Sequence, residues 1–226
     1  MKKDKRVPEG TRLRLWVLAI FACAGLAIAW QSLGQHAHAV QAAQQEVFNR
    51  PRSPYEVVWD SPSEDSNGTM PLGNGEVALN AWIEPSGDLR FYIARTDCWD
   101  DYGRIVKVGA VRVRIGDDSA KRTKTFRQAL TVKDGTMRAR YGEGDAQVNL
   151  RLWVDAHRPV VCVEIGTAKP TEATASIELW RSKQEVMSSV EVSDIFARRP
   201  EKTVVEPDTV LSGLKDRIGW FHRNIK

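Results

Sequence analysis

Met137-Arg138-Ala139-Arg140-Tyr141, then Gly142-Glu143-Gly144-Asp145, then Val148-Asn149-Leu150-Arg151-Leu152-Trp153-Val154: this stretch decides the fold class. Met137, Ala139 and Tyr141 fall on one side of an extended chain, and Arg138 and Arg140 on the other. After a Gly- and Asp-containing turn the pattern resumes, with Val148, Leu150, Leu152 and Val154 against Asn149, Arg151 and Trp153. Strict alternation marks a half-buried strand, and Gly-Asp punctuation marks the reversal between two of them.

The same period extends in both directions. Leu89, Phe91 and Ile93 alternate with Arg90, Tyr92 and Ala94; Val161, Val163 and Ile165 with Cys162 and Glu164; Ile177 and Leu179 with Glu178 and Trp180. Turn signals stand at Glu84-Pro85-Ser86-Gly87-Asp88 and Lys133-Asp134-Gly135. Val106 and Val108 are even-numbered, whereas Val111, Val113 and Ile115 are odd, with Gly109-Ala110 between them. A one-residue slip of phase at a glycine predicts a β-bulge. The reading is all-β: an antiparallel β-sandwich of eight or nine strands over residues 55–226, with Leu89, Phe91, Ile93, Val148, Leu150 and Leu152 buried. The pattern weakens after residue 182. Residues 183–213 read as loop, and Leu214 to Lys226 as an amphipathic or extended closing segment.

The front of the chain is different. Lys2, Lys3, Lys5 and Arg6 precede an apolar run from Leu15 to Trp30, and Ala37-His38-Ala39 offers a small-x-small cleavage site. Sixteen residues of helix span about 24 Å, short of a ~30 Å hydrocarbon core. Residues 1–39 therefore read as a signal peptide or uncleaved signal anchor helix, with 40–54 as a Gln- and Ala-rich linker. A lipoprotein reading at Cys23 is disfavoured by bulky Phe21. The expectation is export to the periplasm or outside the cell, with membrane contact only through an uncleaved anchor. The chain has 226 residues and a formal charge of +4. The first 39 residues hold six basic and two acidic side chains, and the remainder is neutral. That removes the electrostatic basis for nucleic-acid binding.

No nucleophile elbow, phosphate loop or dinucleotide fingerprint is present. His157 and His222 lack zinc-type spacing, so no metal or cofactor is expected. Cys98 and Cys162 would share an oxidising compartment, which makes them a candidate disulfide; whether they meet is open. Two segments carry candidate chemistry. Pro71-Leu72-Gly73-Asn74-Gly75 demands an unusual backbone path, either as a plain turn or as a loop shaped to approach a ligand. Arg95-Thr96-Asp97-Cys98-Trp99-Asp100-Asp101 sets an indole beside carboxylates, the combination that stacks on sugar C–H faces and accepts from hydroxyls. Its bland alternative is a solvated acidic turn with Trp99 packed beneath. Adjacent carboxylates rarely form the opposed pair of glycoside hydrolysis.

An ordered series of motifs then resembles a known family. They are Val58-Trp59-Asp60-Ser61-Pro62-Ser63, Met70 to Gly75, Phe91-Tyr92-Ile93, Thr96-Asp97 with Trp99-Asp100, Phe126-Arg127-Gln128, Leu152 to Ala156 with Arg158-Pro159, and Trp220 to Asn224. The series resembles the N-terminal domain of large exported bacterial proteins, labelled domain of unknown function 5703. Its Pro-Leu-Gly-Asn-Gly element also resembles the start of glycoside hydrolase families 95 and 65. The resemblance implies a galactose-mutarotase-like β-supersandwich, followed by an (α/α)6 barrel that holds the catalytic acids and is the partner of the sandwich. The chain ends about where the linker to that barrel is expected, so no catalytic residue is carried over. Asn74, Asp97, Trp99 and Asp100 are implied as rim residues toward a carbohydrate substrate. The expected function is the non-catalytic N-terminal portion of a glycoside hydrolase; the alternatives are a free-standing carbohydrate-binding module and a periplasmic interaction domain.

Overall fold

The computed structural model describes residues 55–99, 105–117, 125–188, 204–215 and 217–223. The expected export segment (1–39), the linker (40–54) and Asp100 lie outside the described residues. Among the described residues no helix is long and apolar enough to cross a membrane.

Ten antiparallel strands form two five-stranded sheets. One sheet has the order β1 (Glu56–Trp59), β6 (Phe126–Thr131), β7 (Thr136–Tyr141), β8 (Val148–Val154), β9 (Val161–Thr167). The other has the order β10 (Ala173–Glu178), β5 (Ile105–Ile115), β4 (Leu89–Trp99), β3 (Val77–Ile83), β2 (Met70–Gly73). We call them the β7 sheet and the β4 sheet. Within 183–213, where a loop is expected, β11 (Glu185–Val186) pairs with β12 (Val204–Val205), and β13 (Thr209–Val210) pairs with β14 (Trp220–Phe221) of the closing segment, which is extended there.

The alternation read from the sequence is the alternation of the core. Met70, Leu72, Leu79, Leu89, Phe91, Val113 and Ile115 of the β4 sheet pack against Leu130, Met137, Tyr141, Val148, Leu150 and Leu152 of the β7 sheet in one buried cluster. Ile93 packs on its margin and is only partly buried. The expected bulge is present. Ile93 pairs with Gly109 but Ala94 pairs with Lys107, leaving Val108 as the extra residue of β5. Its carbonyl, freed from the ladder, accepts a hydrogen bond from the Trp220 indole at 3.3 Å. A side chain at Gly109 would press on that ring, since a Cβ there would lie 3.3 Å from it. The closing segment thus docks on the bulge.

Where one-sided burial was expected, the β4 sheet departs. Trp82 points away from the sandwich core yet is fully buried. It stacks edge-on with Tyr92, which meets Trp180 likewise, and the Arg90 guanidinium lies over the Trp82 ring. Beside this ladder Arg112 binds Glu178 at 2.7 Å, Asp88 at 3.1 Å and Glu84. Arg90 bridges Glu84 and Glu178. Burial alone would lower the Arg112 pKa, but hydrogen bonds to Glu84 and Glu178 outweigh it and hold the guanidinium firmly charged. Five charged side chains from β4, β5, β10 and the β3–β4 turn therefore cover an aromatic second core.

Polar contacts among the described residues cross between the sheets. The backbone N–H of Ile83 donates to the buried Gln128 side-chain oxygen at 3.1 Å, and the Tyr141 hydroxyl donates to the Gly87 carbonyl at 2.7 Å. Others, at the opposite end of β3, belong to Asn74 and are described below.

These assignments give a paired test. Leu150→Asp buries an unpaired carboxylate at a cost of several kcal/mol, comparable to a whole domain's ~5–15 kcal/mol of stability, and should leave the chain unfolded by circular dichroism. Arg151→Asp, on the outer side of the same strand, should melt cooperatively. Equal behaviour of the two variants would reverse the strand facing.

Candidate functional site

Asn74 sits in the turn between β2 and β3, held there by its neighbours' backbone. Gly75 has φ +91°, in the left-handed region, and a Cβ on Gly73 would lie 2.9 Å from the Val77 carbonyl oxygen. Both glycines are therefore required by the path of the chain. The turn orients a side chain whose four hydrogen-bonding positions are all filled. The backbone N–H groups of Glu76 and Val77 donate to Oδ1, each at 2.9 Å. Nδ2 donates to the carbonyls of Asp155 at 2.8 Å and Arg158 at 3.0 Å, in the β8–β9 loop of the facing sheet. Asn74 is a clamp between sheets, and its amide is occupied from within the fold.

The clamped loop carries its own internal lock. The Asp155 carboxylate accepts from Arg158 Nη2 at 2.6 Å and from the His157 backbone N–H at 3.0 Å. These two contacts, Arg158 first, hold the Asp155 carboxyl down at about 2 from its ordinary 3.8.

From Asn74 a chain of contacts leads to the acidic segment. Glu76 pairs with Arg95, and Arg95 Nε reaches Asp97 at 3.2 Å. The Thr96 N–H donates to the Glu76 carbonyl at 3.0 Å. The segment after residue 94, for which a solvated turn is one of two readings, is the continuation of β4 to Trp99, because Arg95 still pairs with Val77 and Thr96 still finds a backbone acceptor. The Trp99 indole N–H donates to the Thr96 carbonyl at 2.8 Å, which fixes the ring while leaving the residue 51% exposed. Asn74, Asp97 and Trp99 thus gather at one end of the sandwich, joined through Glu76 and Arg95.

Cys98 and Cys162 are both free thiols. Burial pushes the Cys98 thiol up, and the carboxylate of Asp97 adds to the effect against the pull of Arg95 and Arg181. Cys162 lies on β9 of the other sheet, opposite Trp153. Among the described residues no three His, Cys, Asp or Glu side chains are grouped to hold a metal.

Several contributors were not singled out from the sequence: Glu76, Arg95, and the Asp155–Arg158 loop as a receptor for Asn74. Asp155-Ala156-His157-Arg158 carries a readable Asx-turn signal. The partnership with Asn74, across 81 positions, has no local signature.

A family model described as domain of unknown function (DUF5703), in its N-terminal form, matches residues 58–226. No curated protein matches the chain.

Two measurements check the clamp. Asn74→Ala should cost about 0.5–1.5 kcal/mol, the range for losing an ordinary hydrogen bond, and Asn74→Asp should not restore it, because an oxyanion would face two carbonyls. Thermal melts of both variants read this out, together with increased protease cutting in 155–160. By NMR titration the Asp155 carboxyl should ionise near pH 2, and Arg158→Gln should move that midpoint up toward the ordinary carboxylate range. The sign follows from linkage: the loop's stabilisation is complete above the unfolded value near 3.8 and is lost as pH falls toward 2.

Proposed function

The chain belongs to the N-terminal DUF5703 family, and on that premise we propose that it is the non-catalytic β-sandwich of an exported glycoside hydrolase, whose Asn74–Trp99 end rims the active site of an (α/α)6 barrel. The observation that carries the reading is the convergence at one end of the sandwich of three segments from both sheets. They are rigidly clamped and present an oriented, half-exposed indole beside Asp97, Arg95 and Glu76. A tryptophan face flanked by charged hydrogen-bonding groups is suited to a pyranose, which is apolar on its C–H side and polar at its hydroxyls. Asn74 supports this rim from behind, since its own amide is spent on the β8–β9 loop. The motif resemblance to glycoside hydrolase families 95 and 65 supplies the substrate class.

Export belongs to the same proposal. The basic start, the apolar run from Leu15 to Trp30 and Ala37-His38-Ala39 support passage across the cytoplasmic membrane. Intact-mass measurement of the protein from its producing cells should then give an N-terminus at Val40. Recovery from the cytosol with Met1 retained would overturn this part alone.

A second reading has one observation of its own. The fixed and exposed ring of Trp99 is also what a free-standing carbohydrate-binding module presents. Assays of the purified chain separate the two. Under the rim reading it neither turns over aryl glycosides nor retains neutral oligosaccharides on a glycan array. Glycan binding that is lost in Trp99→Ala establishes the module instead. Turnover that is abolished by Asp97→Asn would refute both.

A further inference from the structure

The outer surface of the β7 sheet carries four arginines in a staggered row across β6, β7 and β8. Across the ladder Arg127 stands opposite Arg140, and Arg138 opposite Arg151. Their strand neighbours Leu130, Met137, Tyr141, Leu150 and Leu152 point into the core, so the guanidinium groups share the other face. Like charges directly opposite one another destabilise a sheet. On the β4 sheet the equivalent problem is solved by carboxylates, three of which surround Arg112. Here compensation is sparse. Arg138 reaches Asp134 at 2.8 Å, and Arg151 reaches Glu164 only at 3.7 Å. Arg140 meets the neutral amide of Gln147 at 3.3 Å. Nε of Arg127 and Nε of Arg151 are buried without a hydrogen-bond partner. Glu56, on the β1 edge of the same face, forms no ion pair with them. Arg151 lies over the Trp153 ring at 4.3 Å, which braces its guanidinium plane.

We propose that this face binds an acidic polysaccharide, through carboxylate or sulfate groups that engage the arginine row. Strands spaced about 4.8 Å apart, with same-face residues about 6.8 Å apart along each, place the four forks in a flat lattice. A fork matches a planar oxyanion in two-point contact, and a polymer bearing one such group per repeat engages several at once. The row steps diagonally over three strands, which suits a linear polyanion that meets one fork after another. The surface is separate from the Trp99 end, so it stands or falls independently of the rim reading.

Titration of the full chain with polygalacturonate, dextran sulfate and neutral dextran tests the proposal, with single-stranded oligonucleotide as the phosphate arm. The carboxylated or the sulfated polymer should bind, with affinity that falls as salt is raised, and neutral dextran should not. Arg127→Gln/Arg140→Gln should weaken that binding about tenfold or more, the order expected for losing charge-assisted contacts. Arg151→Gln should do the same, and Arg114→Gln, on the other sheet, should not. The double variant should also melt no lower than the parent, because it removes two opposed like charges that make no ion pair; binding and stability then move apart, which a structural role would not produce. No binding by either acidic polysaccharide overturns the proposal. So do equal losses at Arg114 and the arginine row, or tighter binding of the oligonucleotide than of both polysaccharides.

Discussion

The relative position of the two sheets is the constraint on which the rest of the structure depends. Burial of Leu, Val, Met and Phe between them is strongly favourable but non-directional, and it would be nearly as well satisfied if one sheet slid a little against the other. The polar contacts that cross the core fix the choice. Gln128 receives Ile83, and Tyr141 reaches Gly87, at one end of β3; Asn74 grips the β8–β9 loop at the other. Each is directional to within a fraction of an ångström, and the contacts of Gln128 and Tyr141 leave a buried group unsatisfied if broken. Pinned at both ends, β3 serves as the reference against which β4 is laid. The position of Arg95, Asp97 and Trp99 at the end of β4 follows from that.

Much of this was legible in the sequence, and the parts that were not have physical reasons. Residues 137–154 announce two strands because every second side chain faces a single core, and Val108 betrays the bulge because the phase cannot shift otherwise. The strand Glu56–Trp59 shows no such period, since it lies at a sheet edge and hides little. The second core on the β4 sheet was invisible for the opposite reason. Arg90 and Tyr92 look like solvent-facing residues until Trp82, Trp180 and the carboxylates are brought over them, and pairings across 66 positions, such as Arg112 with Glu178, leave no trace in local periodicity. At the candidate site the residue types and the glycine turn were readable. What Asn74 does with its amide was not, because the answer lies in the β8–β9 loop. The continuation of β4 through Thr96 and Asp97 was likewise masked by polar residues that local propensity assigns to a turn.

The two outer faces show how little composition says about electrostatics. Both are rich in arginine, and past the first 39 residues the two signs of charge are equal in number. On the β4 sheet the acids stand within reach of Arg90 and Arg112, and the result is a rigid cover. On the β7 sheet the acids stand at the margin, and the guanidinium groups face one another. A neutral total thus conceals one balanced surface and one unbalanced surface.

The order of strands in the β7 sheet bears on how the chain comes to be folded at all. β6 through β9 follow one another by short turns, so each finds its partner as soon as it exists. β1 does not: Val58 pairs with Ala129, and with roughly 70 residues between them a ribosome working at about 5–20 residues per second needs on the order of 4–14 s to supply the partner. During that interval Val57, Val58 and Trp59 form an unpaired apolar edge of the kind that seeks other strands. Among the described residues the first strand thus waits for the sixth, and the length of that wait is set by the order of strands in the sheet.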